Sequence, residues 1–326
     1  VALNVVLAIS SRAMAQEPAF VAIQPPDGDG TATFAFDISN RGDIVGAYNA
    51  APDGHRYGFL RTADGRFTRI NVPGSFRTHA DGITSRGDIV GWYAPGPGEN
   101  HGFLLKNTGQ LIRIDVPGAV VTRAIGINER GNIVGFYCLL PPASTCGSQN
   151  NSAHGFLLRD GVLSTIDVPG ALQTEAYKIN GARQILGRYV TTGGTSHLFL
   201  MSEDDFTTID APDALQTGID GANAGLNSHG DVVGDYCPAA PCDVFFEHTV
   251  HGFLLTEDGN NFRRIDVRRA AGTSAYGINA RGDIVGVAQI DATHAVGFLR
   301  VVRERAGDED NERDDQSHRD DDHSNR

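Results

Sequence analysis

Residues 126–137 read Gly-Ile-Asn-Glu-Arg-Gly-Asn-Ile-Val-Gly-Phe-Tyr, and the fold follows from how often this stretch returns. Its second half recurs as Ile44 to Tyr48, Ile89 to Tyr93, Ile133 to Tyr137, Ile185 to Tyr189, Val232 to Tyr236 and, with alanine at its end, Ile284 to Ala288. The motif glycines Gly46, Gly91, Gly135, Gly187, Gly234 and Gly286 stand 45, 44, 52, 47 and 52 residues apart. A period in the forties, built of short apolar runs between turn residues, is the pattern of a β-propeller with one blade per repeat.

Each repeat divides into four short segments. The first is Gly-Phe-Leu, as in Gly102 to Leu104 and Gly252 to Leu254. A turn such as Asp64-Gly65 or Asp160-Gly161 follows, chemistry that favours a hairpin because glycine accepts positive φ. The next segment alternates with period two, as in Phe67 to Ile70 and Leu111 to Ile114, so one of its faces is buried. Asp-Val-Pro-Gly (Asp115 to Gly118, Asp167 to Gly170) then ends the strand, since proline cannot donate to the ladder. Thr-x-Ala-x-Gly-Ile-Asn (Thr122 to Asn128, Thr273 to Asn279) is the third segment, and its small residues suit a crowded innermost strand. A tight turn opened by Ser, Thr or Asn and closed by glycine leads to the Ile-Val-Gly strand. The fourth repeat has Arg183 where the others have that glycine.

The two ends of the pattern are complementary. Phe20 to Ile23 has the second-segment pattern with no Gly-Phe-Leu before it, and Gly297 to Arg300 is a first segment with no partner after it. Pairing them completes a sixth blade and leaves no open sheet edge. The sequence thus predicts an all-β chain: a six-bladed β-propeller of four-stranded antiparallel blades over residues 16–302, its ring closed by the N-terminal strand on the C-terminal strand.

The flanks have other compositions. Val1 to Ile9 is an apolar run too short to span a bilayer, and Ala13-Met14-Ala15 supplies small residues for cleavage before Gln16, so residues 1–15 are read as the remnant of a signal peptide. Residues 303–326 hold ten acidic and five basic side chains with almost nothing apolar, and are read as a disordered acidic tail. Export predicts an oxidising compartment, and the four cysteines fall into two local pairs, Cys138 with Cys146 and Cys237 with Cys242, read as disulfides. A shared zinc site would require two separated blades to meet. A net charge of −13 provides no footprint for nucleic acid, and no membrane span, metal or cofactor is expected.

The units His101 to Leu104, Thr165 to Ala171 and Gly126 to Tyr137 resemble those of the bacterial extracellular HAF-repeat family, over roughly residues 20 to 300. The resemblance implies export and a repeated β-rich fold. It implies no activity and assigns no site residues.

Strands that alternate up and down put the two tight turns of each repeat on one face and the Pro-Gly segments and variable loops on the other. Binding surfaces favour variable loops on a rigid scaffold, so the long-loop face is the expected functional face. A residue found in every blade serves the blade, whereas one peculiar to a blade is free to serve a ligand. The column Tyr57, His101, His154, His197, His251, Val296 is therefore read as structural, its histidines bonded to nearby loop backbone. Two other columns differ in every blade: Phe34, His79, Arg123, Glu175, Ala222 and Ser274 on the inner strand, and Ala47, Trp92, Phe136, Arg188, Asp235 and Val287 on the next. From them His79, Trp92, Arg123, Phe136, Glu175, Arg188 and Asp235 are the candidate ligand-binding residues at the mouth of the central channel. Aromatics with a few convergent polar groups suit small polar ligands, sugars included; a solvated ring of paired rim charges is the alternative. Arg-Gly-Asp at 41–43, 86–88 and 281–283 is explained by turn chemistry. No nucleophile elbow, His-Glu-x-x-His or phosphate loop occurs. The leading expectation is a secreted binding or interaction module for an extracellular carbohydrate, surface polymer or exported protein. A glycoside hydrolase or polysaccharide lyase, with Glu175 and Asp235 as its acid and base, and a structural spacer are the alternatives.

Overall fold

A computed structural model describes residues 20–50, 54–96, 98–141, 146, 152–219, 224–240, 242, 250–259 and 261–302. The signal-peptide reading of residues 1–15 and the tail reading of 303–326 lie outside these. The strands occupy one compact unit, Ala19–Val301, and no described residue is helical.

Strand pairing divides the unit into six antiparallel meanders in chain order. The third repeat shows the plan: Val121–Ile127, Ile133–Cys138, His154–Arg159 and Val162–Ile166 pair in sequence, each with the next. The last meander consists of Gly272–Ile278, Ile284–Gln289 and Ala295–Arg300, and its fourth strand is the N-terminal Phe20–Ile23, with Phe20 opposite Arg300 and Ile23 opposite Gly297. The fifth departs most, its first strand being two short pieces, Gln216–Thr217 and Gly225–Leu226. The ladders do not merge into one barrel. Isolated parallel pairs such as Arg56 with Arg77 and Ala32 with Ala295 link some neighbours.

The last strand of each meander is its most exposed. Gln173–Ile179 is buried throughout, whereas Leu111–Ile114 buries only its final isoleucine. First strands contact one another in cyclic order, the sixth against the first included. Five of them, all but the fifth, also carry an extra residue relative to the partner strand, seen as a register shift across Phe36, Asp81, Ile125, Tyr177 and Tyr276. Such bulges re-aim a side chain and sharpen the twist.

The motif glycine has a steric cause. A Cβ on Gly46, Gly91 or Gly135 would lie 1.9 Å from the carbonyl oxygen of Phe34, His79 or Arg123 on the inner strand. On its other side lies the ring of the Gly-Phe-Leu phenylalanine, and Phe59, Phe103, Phe156, Phe199, Phe253 and Phe298 are all almost wholly buried. Burying each such ring contributes about 1.5–3 kcal/mol.

The corners repeat too. In the tight turns Asn128 Oδ1 accepts from the amides of Arg130 and Asn132, Asn279 Oδ1 does the same for Arg281 and Asp283, and the turn glycines have positive φ. Arg183 takes that left-handed conformation at φ 68° without being glycine. The aspartates of two Arg-Gly-Asp triplets are committed to the neighbouring hairpin: Asp43 accepts from Ala63 N and Asp88 from Asn107 N. Asparagine amides also link one turn to the next, Asn128 to the Asn180 carbonyl, Asn180 to that of Asn227, Asn227 to that of Asn279, and Asn279 to that of Ser39. At the opposite corner of five meanders a threonine near the start of the inner strand (Thr78, Thr122, Thr174, Thr217 and Thr273) accepts from the backbone six residues back, as Thr122 does from Val116 N.

The histidine column differs from expectation in its partner. His101, His154, His197 and His251 bond the carboxylates of Asp115, Asp167, Asp210 and Asp266, at 2.9–3.1 Å, rather than loop backbone. Each ring also packs on its meander's motif tyrosine: Tyr93, Tyr137, Tyr189 or Tyr236. The Asp-x-Pro corner therefore owes its aspartate to a Tyr-His-Asp clip. Both predicted disulfides are formed, Cys138–Cys146 and Cys237–Cys242.

Candidate functional site

The two blade-specific columns are cross-strand partners. His79 stands opposite Trp92, Arg123 opposite Phe136, and Glu175 opposite Arg188. A residue on the first strand and its neighbour on the second present side chains to the same sheet face, so each meander except the fifth contributes a matched pair among the described residues.

The pairs join around the axis. Tyr276, from the sixth meander, lies 5.9 Å from the ring of Phe36, from the first. Phe36 stacks on His79 of the second at 5.5 Å, and His79 stacks on Trp92 at 4.2 Å. The Arg123 guanidinium, from the third, lies 4.1 Å above Trp92 and 5.4 Å from its partner Phe136. The fourth contributes an acid: Glu175 accepts from the Tyr177 hydroxyl and pairs with Arg188 at 3.5 Å, while Arg188 Nε donates to Ser196. In the fifth, Asp235 accepts from Ile219 N at 2.8 Å. Half the layer is thus an aromatic and cationic stack and the other half a polar network.

All seven candidate residues belong to this layer, but they do not form a solvated rim. His79, Trp92, Phe136, Glu175 and Asp235 are buried, and only Arg123 and Arg188 are partly accessible. Neighbouring inner strands pack shoulder to shoulder. A Cβ at Gly126 would come 2.4 Å from the Tyr177 carbonyl oxygen of the next meander. The residues missed are those at the bulges, Phe36, Tyr177 and Tyr276. Their signal was the variable position between alanine and glycine in the inner-strand consensus. Ala222, from the first column, lies outside the described residues.

Electrostatics divide the layer. Burial holds the His79 imidazole well below its ordinary range, and the charges of Arg56, Arg123 and Arg77 add to this. Burial likewise lowers Arg123, opposed by the charges of Asp81 and Glu175 and reinforced by Arg77. Burial and the Glu175 charge push the Tyr177 hydroxyl well above the usual tyrosine range, so it is a neutral donor. Among the described residues His79 Nε2, Arg123 Nε and the Tyr276 hydroxyl are buried without a hydrogen-bond partner.

This arrangement gives a pH prediction. The unfolded chain takes up a proton at residue 79 as pH falls through about 6.5, while the folded chain resists it. The histidine therefore makes the fold lose stability as pH drops below that value, by up to about 1.4 kcal/mol per pH unit. Denaturant titrations at pH 7 and pH 5 should show a steeper loss for the wild type than for His79→Phe, which keeps a stacked ring. Equal slopes would mean that the imidazole is protonated in the fold.

A recess opens at the tight-turn end, on the face opposite the one expected. It has a volume of about 100 Å³ and is lined by Ser39, Asn128, Asn180 and Asn227, with Asp37 and Lys178 beside them. The three asparagine amides there are already spent on the turn-to-turn links. Lys178 lies between the two ends. Its Nζ, from the fourth meander, reaches Asp37 at 3.2 Å in the first and the Asp81 carbonyl at 3.0 Å in the second. No group of residues among those described could hold a metal ion.

No family model matches the chain, and no curated protein matches it. Solved structures do. A mutant of the Aleuria aurantia lectin, in complex with Fucalpha1-6GlcNAc, has a TM-score of 0.53 at 12% identity, over 86% of this chain and 95% of the lectin. AofleA from Arthrobotrys oligospora gives 0.52 at 15%, over 88% and 86% of the two chains. TolB from Acinetobacter baumannii gives 0.50 at 10%, over 85% and 66%. At such identities the likeness is one of fold alone, and that fold is the β-propeller.

Proposed function

We propose that this chain is an exported six-bladed β-propeller of the HAF-repeat kind, and that it binds carbohydrate at the long-loop end of its axis. The observation that carries the reading is the convergence of His79, Trp92, Arg123, Phe136, Glu175, Arg188 and Asp235, none repeated from blade to blade, into one aromatic and polar layer. Stacking faces beside fixed hydrogen-bonding groups are what a sugar ring needs for orientation. Support for six closed blades comes from the pairing of Phe20–Ile23 with Ala295–Arg300 and from the cyclic contacts of the inner strands. The two local disulfides support export, since such bonds persist in oxidising compartments. The Aleuria aurantia lectin, which shares the fold, was solved with a fucosylated disaccharide.

A glycan array followed by calorimetry tests the reading, with one substitution at each end of the axis. Phe34 is a partly accessible aromatic at the long-loop end, stacked on Phe36 at 6.0 Å, whereas Asn40 lies in a tight turn beside the opposite recess. Phe34→Ala should weaken binding about tenfold, in line with the loss of one stacking contact of about 1–1.5 kcal/mol. Asn40→Ala should leave binding unchanged. An empty array, or a loss confined to Asn40→Ala, would contradict the proposal.

A further inference from the structure

Charge is layered at the long-loop end. The acids of the central layer lie deep, since Asp81, Glu175 and Asp235 are all buried. The arginines lie nearer solvent: Arg77 is exposed at the start of its strand, and Arg56, Arg123 and Arg188 are partly accessible. Arg188 is paired with Glu175, but among the described residues Arg56, Arg77 and Arg123 form no ion pair with a carboxylate. They are close enough to repel. The Arg77 charge lowers Arg56, after burial, and lowers Arg123 too, after burial and against the larger opposing charges of Asp81 and Glu175. Such a gathering stands out in a chain of net charge −13, where solvent-exposed arginines have acids to spare.

Their geometry is also held. Arg123 is fixed above Trp92 and beside Phe136, Arg56 donates to Asn49 at 2.9 Å and lies 5.2 Å from the Phe34 ring, and neighbouring strands place Arg56 directly beside Arg77. Guanidinium groups held by aromatic rings lose little freedom on binding and match the flat oxygen pairs of a carboxylate or sulfate. The unpartnered Nε–H of Arg123, an obligate donor, is a second, independent sign that the cluster lacks an acceptor.

We infer that the ligand is an acidic saccharide, whose carboxylate or sulfate is bound by Arg123 with Arg56 and Arg77 while its ring lies against the adjoining aromatic face. This rests on the carbohydrate-binding reading and sharpens it to a substrate class. Neutral sugars would leave the three arginines without an anionic partner. A free inorganic anion would leave the aromatic face without a role.

The test is calorimetric titration of the full chain with oligogalacturonate and with its methyl ester, and with sulfated and unsulfated dextran oligosaccharides. At least one acidic probe should bind ten times more tightly than its uncharged counterpart, and which one does so identifies carboxylate or sulfate. Arg123→Gln should remove that preference. Arg77→Gln, at an exposed position where folding is not at stake, should reduce it at least threefold. Circular dichroism and the melting temperature confirm that each variant is folded. Uncharged and acidic probes binding alike, with Phe34→Ala still weakening both, would overturn the acidic class and leave carbohydrate binding standing. Failure of every saccharide, together with an empty glycan array, would overturn both readings. Inorganic sulfate competing as well as the sulfated oligosaccharide would overturn the saccharide and leave only an anion site.

Discussion

Replacing Lys178 with alanine should cost about 3–5 kcal/mol of folding stability, the range expected when one partner of a buried ion pair is removed. Lys178 stands where the second, third, fifth and sixth meanders have Gly82, Gly126, Gly225 and Gly277, positions at which inner strands touch their neighbours. The first meander has Asp37 there, and the two exceptions pair with each other at 3.2 Å. Lys178 is buried and the Asp37 side chain is 14% exposed at the edge of the recess, and the ammonium also bonds the Asp81 carbonyl. Without the lysine, the Asp37 carboxylate keeps the Ile83 amide but loses its countercharge. Adding Asp37→Ala to Lys178→Ala should recover part of the loss, because it removes the stranded charge. Urea midpoints for the two single variants and the double form a cycle that reads this coupling. Strict additivity would mean that the pair contributes nothing to holding the first and fourth meanders together.

Gly135→Ala should have the second large effect, a loss of about 3 kcal/mol or more, at the upper end of what one added methyl costs a packed interior. The nearest obstacle to its Cβ is the Arg123 carbonyl oxygen at 1.9 Å, with the Phe156 ring at 2.9 Å. Because the first obstacle is backbone, trimming the ring by Phe156→Leu should not rescue the variant. Gly131→Ala is the control. That glycine has φ 82° and nothing within 4 Å of where its Cβ would stand, so the only cost is the left-handed backbone, about 1–2 kcal/mol. A Gly135→Ala variant as stable as Gly131→Ala would mean that the inner strand yields at its bulge.

The architecture was legible because its causes are local and repeated. Alternation in Phe67 to Ile70, the Asp160-Gly161 turn and the clash at each motif glycine all act within one repeat, so sixfold recurrence makes them visible. The complementary ends, Phe20 to Ile23 and Gly297 to Arg300, gave away their pairing by what each lacked. The candidate columns were found because they vary against a constant background, and the register pairs them: His79 with Trp92, Arg123 with Phe136, Glu175 with Arg188.

What stayed hidden depends on neighbours distant in sequence or on depth. No local pattern says that Lys178 meets Asp37, since each reads as a lone departure from a glycine column. Burial of Trp92 and Glu175 beneath an arginine layer follows from how tightly the six inner strands converge, which depends on bulges that sequence periodicity cannot register. The histidine column is structural, as its recurrence suggests, yet its partners are the aspartates thirteen to fifteen residues on. They meet only because a hairpin folds the fourth strand back along the third.

A crystal structure of the protein with a bound acidic trisaccharide tests the central claim most directly. The account predicts the sugar at the long-loop end of the axis, an acidic group within hydrogen-bonding distance of Arg123, and a ring face against the aromatic cluster that includes Phe34. A sugar seated in the tight-turn recess above Lys178, or on the outer strands away from the axis, would contradict it.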